Sequence, residues 1–118
     1  MATVRPVKSI AFMMINKNTT SIFVLRISLP ASNFICDNAA TLKTDKKYNK
    51  ILLDLPCTSS GTIRKNPDIK WKITKENIAK IKTTQYKILD NMKNNLTDTG
   101  EIIYSTCSIL DEENQDNI

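Results

Sequence analysis

The stretch Ile51-Leu52-Leu53-Asp54-Leu55-Pro56-Cys57-Thr58-Ser59-Ser60-Gly61-Thr62 decides the reading of this chain. It opens as a short apolar run of β type and closes as a loop of proline, serine, threonine and glycine. A strand running into such residues ends near Leu55, because Pro56 donates no backbone N–H and the small polar residues after it favour turns. The pattern returns farther along, where Ile102-Ile103-Tyr104 leads into Ser105-Thr106-Cys107-Ser108. Each run sets one cysteine just past the carboxyl end of a predicted strand. In open α/β sheets that edge is where ligands bind and catalytic residues collect. Two cysteines and an aspartate there point to thiol chemistry.

Upstream, Lys8 to Ile15 reads as a buried strand and Asn18 to Ile27 as a helix, which Leu29-Pro30 stops. Asn33 to Cys36 is a short strand ending at Asp37, and the polar, lysine-rich residues Thr41 to Asn49 lead into the strand at Ile51 to Leu55. Pro56 to Lys72 is a long loop, and loops of that length inside a compact domain are usually functional. Ile78, Ile81, Ile88, Leu89, Met92 and Leu96 recur on one helical face, with Thr74 as the N-cap. Thr97 to Gly100 turns the chain, Glu101 to Thr106 is the next strand, and Asp111 to Ile118 begins a further helix. This βα alternation predicts an α/β fold, a parallel sheet covered by helices.

At 118 residues the chain has room for one small domain. A formal charge of +5 suits a polyanionic partner, and equally a solvated basic face. Histidine is absent, which excludes Ser-His-Asp and Cys-His catalysis and any histidine-bearing metal site. The three cysteines, Cys36, Cys57 and Cys107, form no C-x-x-C pair, zinc spacing or disulfide framework. Reduced thiols in the cytoplasm, and no metal, are therefore expected. Cys36 reads as a small buried apolar residue. No apolar run reaches the roughly 18 residues of a membrane span. Ile10 to Ile15 is short for the core of a signal peptide and reads as a strand instead.

Several further blocks carry a family likeness. They are Asp54-x-Pro56-Cys57, Gly61-Thr62-Ile63-Arg64, Asn66-Pro67-Asp68-Ile69-Lys70-Trp71, Gln85, Ile88-Leu89, Tyr104-Ser105-Thr106-Cys107-Ser108 and Glu112-Glu113-Asn114. In this order and spacing they resemble the RsmB/Sun (NOL/NOP/Sun) family of S-adenosylmethionine-dependent RNA cytosine-5 methyltransferases. The likeness is clear over 51–118, thinner over 33–50, where it rests on Asp37-Asn38-Ala39, and faint over 1–32. It implies a partial Rossmann-like class I methyltransferase domain over 1–118, with the first strand, its glycine-rich loop and the last strands missing.

The chemistry so implied needs a thiolate. Its addition to carbon 6 of cytosine makes carbon 5 enamine-like and able to take a methyl group. Only thiolate attacks, and an ordinary cysteine is mostly thiol at neutral pH. By resemblance Cys107 is the nucleophile, Cys57 assists product release, and Asp54 holds the cytosine edge near ring nitrogen 3. Asp37 would receive the adenine amino group, and Asp37, Asp54 and Pro56 make up the S-adenosyl-L-methionine-binding set. Arg64, Lys65 and Lys70, with Lys72 and Trp71, form a basic loop suited to RNA, expected to be ribosomal RNA. The other reading of that loop is that Trp71 packs it onto the sheet while the lysines are merely solvated.

The sequence also departs from the family. Its only glycines are Gly61 and Gly100, so no glycine-rich cofactor loop can be written. Met13, Met14 and Ile15 stand where an acidic residue for the ribose is expected, with Asn16 the nearest substitute. Without a first strand, Ile10–Ile15 is expected to lack the neighbour that would link it to Ile51–Leu55, leaving unpaired edges on both. A separate chain supplying the cofactor half is one expected partner. A non-catalytic RNA-binding remnant and a truncated, inactive gene product are the alternatives to an enzyme.

Overall fold

The computed structural model describes residues 10–15, 22–28 and 31–118. Five strands form one sheet: β1 (Ile10–Ile15), β2 (Ile22–Ser28), β3 (Ala31–Asp37), β4 (Tyr48–Asp54) and β5 (Leu96–Ser105), in the order β3-β2-β1-β4-β5. Between β4 and β5 lie the short helix α1 (Ile69–Lys72) and the long helix α2 (Lys75–Lys93). Single 3-10 turns occupy Ser60–Thr62, Asp111–Glu113 and Gln115–Asn117.

The strand predicted at Ile51–Leu55 is the core of β4. Ile51, Leu53 and Leu55 are buried at alternate positions, as a pleated strand requires. A register shift between Tyr48 and Lys50 breaks that alternation, so Tyr48 is buried as well. Strand β5 lies parallel to β4, with Ile51 opposite Ile102, Leu53 opposite Tyr104 and Asp54 opposite Ser105. Parallel neighbours need a crossover, and α2 supplies it. Its N-cap is Thr74, whose hydroxyl accepts from the Asn77 N–H at 3.2 Å. Gln85, Ile88, Leu89 and Met92 make one buried face, which joins Ile51, Leu53 and Leu55 in a single core. The Asn91 amide ties the helix to the segment after β3, donating to the Ala39 and Leu42 carbonyls at 2.6 and 2.9 Å.

Several expectations are corrected. The helix expected over Asn18–Ile27 is instead strand β2, antiparallel to both β1 and β3. Ile22, Val24 and Ile27 are β-branched and favour extended backbone over helix. The sheet is therefore mixed, parallel only across β1, β4 and β5. Nor does Ile10–Ile15 lack a neighbour, because β1 pairs directly with β4 in parallel, Met13 opposite Leu53. Leu96 opens β5 rather than closing the helix, and Thr97–Gly100 is taken up where the register passes from Tyr48–Leu96 to Lys50–Glu101. Asp111–Ile118 forms two 3-10 turns, not an α-helix. The expectations for Lys8 and Ser9, for Asn16, for the start of the Asn18 helix and for the stop at Leu29-Pro30 fall outside the described residues. No helix among the described residues is long and apolar enough to cross a membrane.

Gly100 sits where this register change crowds the backbone. A Cβ there would lie 2.8 Å from Leu96 Cδ2 and 3.0 Å from the carbonyl oxygens of both Thr97 and Tyr48. Gly100→Ala is expected to destabilise the fold by about 1–3 kcal/mol through overpacking, read as a lower urea midpoint with an unchanged slope.

Candidate active site

The parallel register of β4 and β5 sends two loops off the same sheet edge. The ladder continues one step past the strands, with the Leu55 N–H donating to the Ser105 carbonyl at 2.9 Å. From there the loops are laced together. The Gly61 N–H donates to the Cys107 carbonyl at 2.9 Å and the Ile109 N–H to Ser60 Oγ at 2.9 Å, while Ser60 Oγ lies 3.0 Å from Ser108 Oγ. Gly61 permits this approach, since a Cβ there would meet the Cys107 carbonyl oxygen at 2.8 Å.

The result brings both predicted cysteines together. Cys57 Sγ and Cys107 Sγ are 3.1 Å apart, both as free thiols, Cys57 half-buried and Cys107 exposed. Burial, and then the hydrogen bond with the Cys107 sulfur, push the Cys57 thiol up to about 11. That thiol stays protonated at neutral pH. A third side chain completes the cluster: Ser59 Oγ lies 3.2 Å from Cys107 Sγ and 3.9 Å from Cys57 Sγ.

A buried carboxylate holds this arrangement from below. Glu113 is completely buried, and its oxygens accept from Thr58 N–H at 2.8 Å, Thr58 Oγ1 at 2.6 Å, Gln85 Nε2 at 3.3 Å and Ser108 Oγ. Thr58 follows Cys57 and Ser108 follows Cys107, so one side chain fixes both cysteine loops. Gln85 also donates to the Pro56 carbonyl at 2.8 Å and accepts from Asn117 Nδ2 at 2.8 Å. Pro56 is thereby held through its backbone carbonyl. Asn114 binds the second loop, its amide donating to the Ser108 and Leu110 carbonyls at 3.0 and 2.9 Å.

Asp54 is exposed at the end of β4, three residues before Cys57, on the edge where the loops leave. Asp37 ends β3, and because β3 runs in the same direction as β1 and β4 it lies on that edge too. Strands β2 and β1 separate it from Asp54, a gap of three strand spacings or roughly 14 Å. Arg64, Lys65, Lys70 and Lys72 are all exposed, on the turn and short helix that follow Gly61. Lys72 pairs with Asp68 at 2.9 Å, and Lys70 Nζ stands 4.8 Å from the centre of the Trp71 ring. Trp71 is 77% exposed, so it does not pack the loop onto the sheet. Among the described residues no group of three or more Cys, Asp or Glu side chains could hold a metal ion.

Sequence reasoning assigned no role to Ser59, Gln85, Glu113 or Asn117. A glutamine on the otherwise apolar face of α2 was the one local signal of a buried polar partner. Glu113 stood only within the family-like block Glu112-Glu113-Asn114, with nothing local to set it apart from Asp111 and Glu112, which are exposed.

Residues 12–118 match the family model described as 16S rRNA methyltransferase RsmB/F. The chain is 43% identical over 74 residues to the ribosomal RNA small subunit methyltransferase B of Salmonella paratyphi A (strain ATCC 9150 / SARB42), covering 63% of this chain and 17% of that protein. The protein of the same name from Salmonella agona (strain SL483) is also 43% identical over 74 residues, with the same coverage. The fold is similar to the crystal structure of PH0851, with a TM-score of 0.57 and 41% identity, covering 59% of this chain and 16% of that one. Family and structural likeness both fit a class I Rossmann-like fold. The chain thus spans less than a fifth of these relatives' length, 17% and 16%.

Two outcomes follow from the geometry. Glu113→Ala leaves four donors short of their acceptor, and a loss of about 2–4 kcal/mol is expected in urea unfolding. For Cys57, the folded chain holds the thiol proton more tightly than the unfolded chain does. The stability tied to the neutral thiol is therefore present below about pH 9 and is lost as pH rises toward about 11. Thermal unfolding against pH should show this alkaline loss in the parent and a shallower one in Cys57→Ala.

Proposed function

Because the chain belongs to the 16S rRNA methyltransferase RsmB/F family, we propose that it acts in cytosine-5 methylation of ribosomal RNA, with Cys107 as the nucleophile. The observation that supports this best is the 3.1 Å approach of two thiols at the carboxyl edge of parallel strands. Cys107 is exposed and free to meet a base, whereas Cys57 is half-buried.

On this reading the Cys107 thiolate forms a bond to carbon 6 of cytosine, and the ring electrons shift toward carbon 5. S-adenosyl-L-methionine supplies the methyl group that carbon 5 takes. A solvent water then takes the proton from carbon 5, the pair of that C–H bond re-forms the carbon 5–carbon 6 double bond, and the sulfur–carbon 6 bond breaks with its electron pair returning to Cys107 as the ring regains aromaticity. Cys57 keeps its proton at neutral pH and sits within hydrogen-bond reach of the departing sulfur. It can donate to that sulfur as charge returns to it, which is the assistance to release that its motif implies. Asp54, exposed on the same edge, would hold the pyrimidine near ring nitrogen 3.

The carboxylates on this edge suit the cofactor. Asp37, Asp54 and Pro56 would hold it, the roughly 14 Å between Asp37 and Asp54 being a length that an extended nucleoside with an amino-acid tail covers. Neither glycine adds a cradle for it. The space at Gly61 is filled by the Cys107 carbonyl, and Gly100 lies toward the other end of β5. We assign residues 1–118 to part of a methyltransferase domain. Working thiols of this kind fit a reducing, cytoplasmic setting.

One observation favours a second reading. Trp71 is 77% exposed beside Lys70, with Arg64 and Lys65 exposed nearby, a combination that binds single-stranded RNA by stacking and charge without any catalysis. One assay separates the two readings. The chain, S-adenosyl-L-methionine and unmodified small-subunit ribosomal RNA are incubated, and protein–RNA adducts are counted after denaturation. Cys57→Ala is expected to accumulate a covalent adduct and Cys57→Ala/Cys107→Ala none. Equal adduct in both would remove Cys107 as the nucleophile. RNA retained before denaturation, with no adduct and no methyl transfer, would leave the non-catalytic binder.

A further inference from the structure

Ser59 is the sole non-glycine residue with positive φ among the described residues, at φ 59° and ψ 26°. Glycine takes this left-handed conformation freely and serine does not. Gly61 stands two residues on, yet is not the residue in that conformation. The turn is held in place around Ser59, whose carbonyl accepts from the Thr62 N–H at 2.8 Å and from Thr62 Oγ1 at 2.9 Å. Strain of this kind persists where the surroundings over-determine it, and it collects at functional sites. Here the strained backbone carries a side chain that is only 7% exposed and reaches both sulfurs, 3.2 Å from Cys107 Sγ and 3.9 Å from Cys57 Sγ.

We propose that Ser59 is a further catalytic residue, whose hydroxyl hydrogen-bonds the Cys107 sulfur and donates to it whenever that sulfur carries charge. The proposal rests on the reading of Cys107 as the nucleophile. A hydroxyl suits both states of the sulfur, since it accepts as well as donates. In the thiol state the Cys107 S–H donates to Ser59 Oγ, as observed. When the proton leaves to solvent, to which Cys107 is exposed, the hydroxyl turns and donates to the thiolate. No bond to Ser59 is made or broken. The same donor serves when the sulfur recovers its electron pair on leaving carbon 6. A purely structural residue at this position would be better as glycine, so the cost of the conformation is matched to the placement of the hydroxyl.

Two variants separate hydroxyl from backbone. Ser59→Ala removes the hydroxyl and keeps the strain; Ser59→Gly removes both. The full chain and each variant are treated with iodoacetamide at neutral pH, and modification of Cys107 is followed by peptide mass spectrometry beside a thermal unfolding curve. Both variants are expected to alkylate Cys107 about tenfold more slowly, the order of one hydrogen bond to a charged group. Ser59→Gly should also unfold at higher temperature than the parent, so that reactivity and stability move in opposite directions. Unchanged alkylation in both variants overturns the proposal. So does slowing in Ser59→Gly alone, because that effect would belong to the backbone. The cytosine reaction is judged apart, by the RNA adduct of Cys57→Ala. No adduct together with slowed alkylation would sink that reaction and leave the Ser59 contact standing. Adduct together with unchanged alkylation would sink Ser59 alone.

Discussion

The Glu113 carboxylate is the constraint on which the site depends. It is fully buried, and an unbonded carboxylate there would be strongly unfavourable. Its partners are drawn from three separate segments: Thr58 after the first cysteine, Ser108 after the second, and Gln85 on α2. Satisfying this one group fixes the height of both loops above the sheet and their distance from the helix. A polar network pinned at every member specifies one arrangement, which an apolar contact of the same size would not do. The backbone at Glu113 is held as well, its carbonyl accepting from Tyr104 OH on β5 at 2.7 Å, with Asn117 Nδ2 donating to the same hydroxyl at 3.1 Å. The last turns of the chain thus act as a buttress for the cysteines rather than as a trailing segment.

The sheet supplies the other half of the constraint. Two cysteines 50 residues apart in sequence reach 3.1 Å because β4 and β5 are parallel and in register up to Asp54 and Ser105. That register depends on α2, whose buried face is shared with Ile51, Leu53 and Leu55. Burying such side chains contributes about 1.5–3 kcal/mol each, so the core is a larger stabilising term than any one hydrogen bond in the loops. The core sets where the loops begin, and the carboxylate sets where they end. The crowding at Gly100 shows that the register is adjusted at the opposite end of β5, away from the site.

The elements legible in the sequence were those whose signal is local. Ile51–Leu55 is a short apolar run closed by Pro56, α2 shows its face and its Thr74 cap, and each cysteine follows an apolar run. Ile22, Val24 and Ile27 also carried a local signal, since β-branching opposes helix, and the helical reading of that segment gave it too little weight. The pairing of β1 with β4 had no local signature, because a strand's sequence does not name its partner. Pairing needs only compatible edges, and β1 meets β4 directly with no strand between them. Glu113 stood within a family-like block, but its burial was illegible for a different reason. Of the acidic run Asp111-Glu112-Glu113 only the last is buried, and that follows from donors brought in by residues far away in sequence. Ser59 was hidden too, since nothing in Thr58-Ser59-Ser60 says which serine will turn left-handed.

The two sulfurs are unequal, and the inequality comes from position alone. Both end the same kind of motif, but Cys57 is half-buried beside Pro56, whose carbonyl Gln85 holds, while Cys107 is exposed. Burial makes the thiolate of Cys57 unfavourable, and the neighbouring sulfur adds to that effect. A thiol kept neutral is a poor nucleophile and a serviceable hydrogen-bond donor. The exposed sulfur of Cys107 has a hydrogen-bonding group on either side, Cys57 at 3.1 Å and Ser59 at 3.2 Å. The division of labour proposed for the cysteines therefore requires no difference in their intrinsic chemistry. Moving Cys57 outward by a single turn of its loop would abolish the division, and the carboxylate of Glu113 on Thr58 is what opposes that movement.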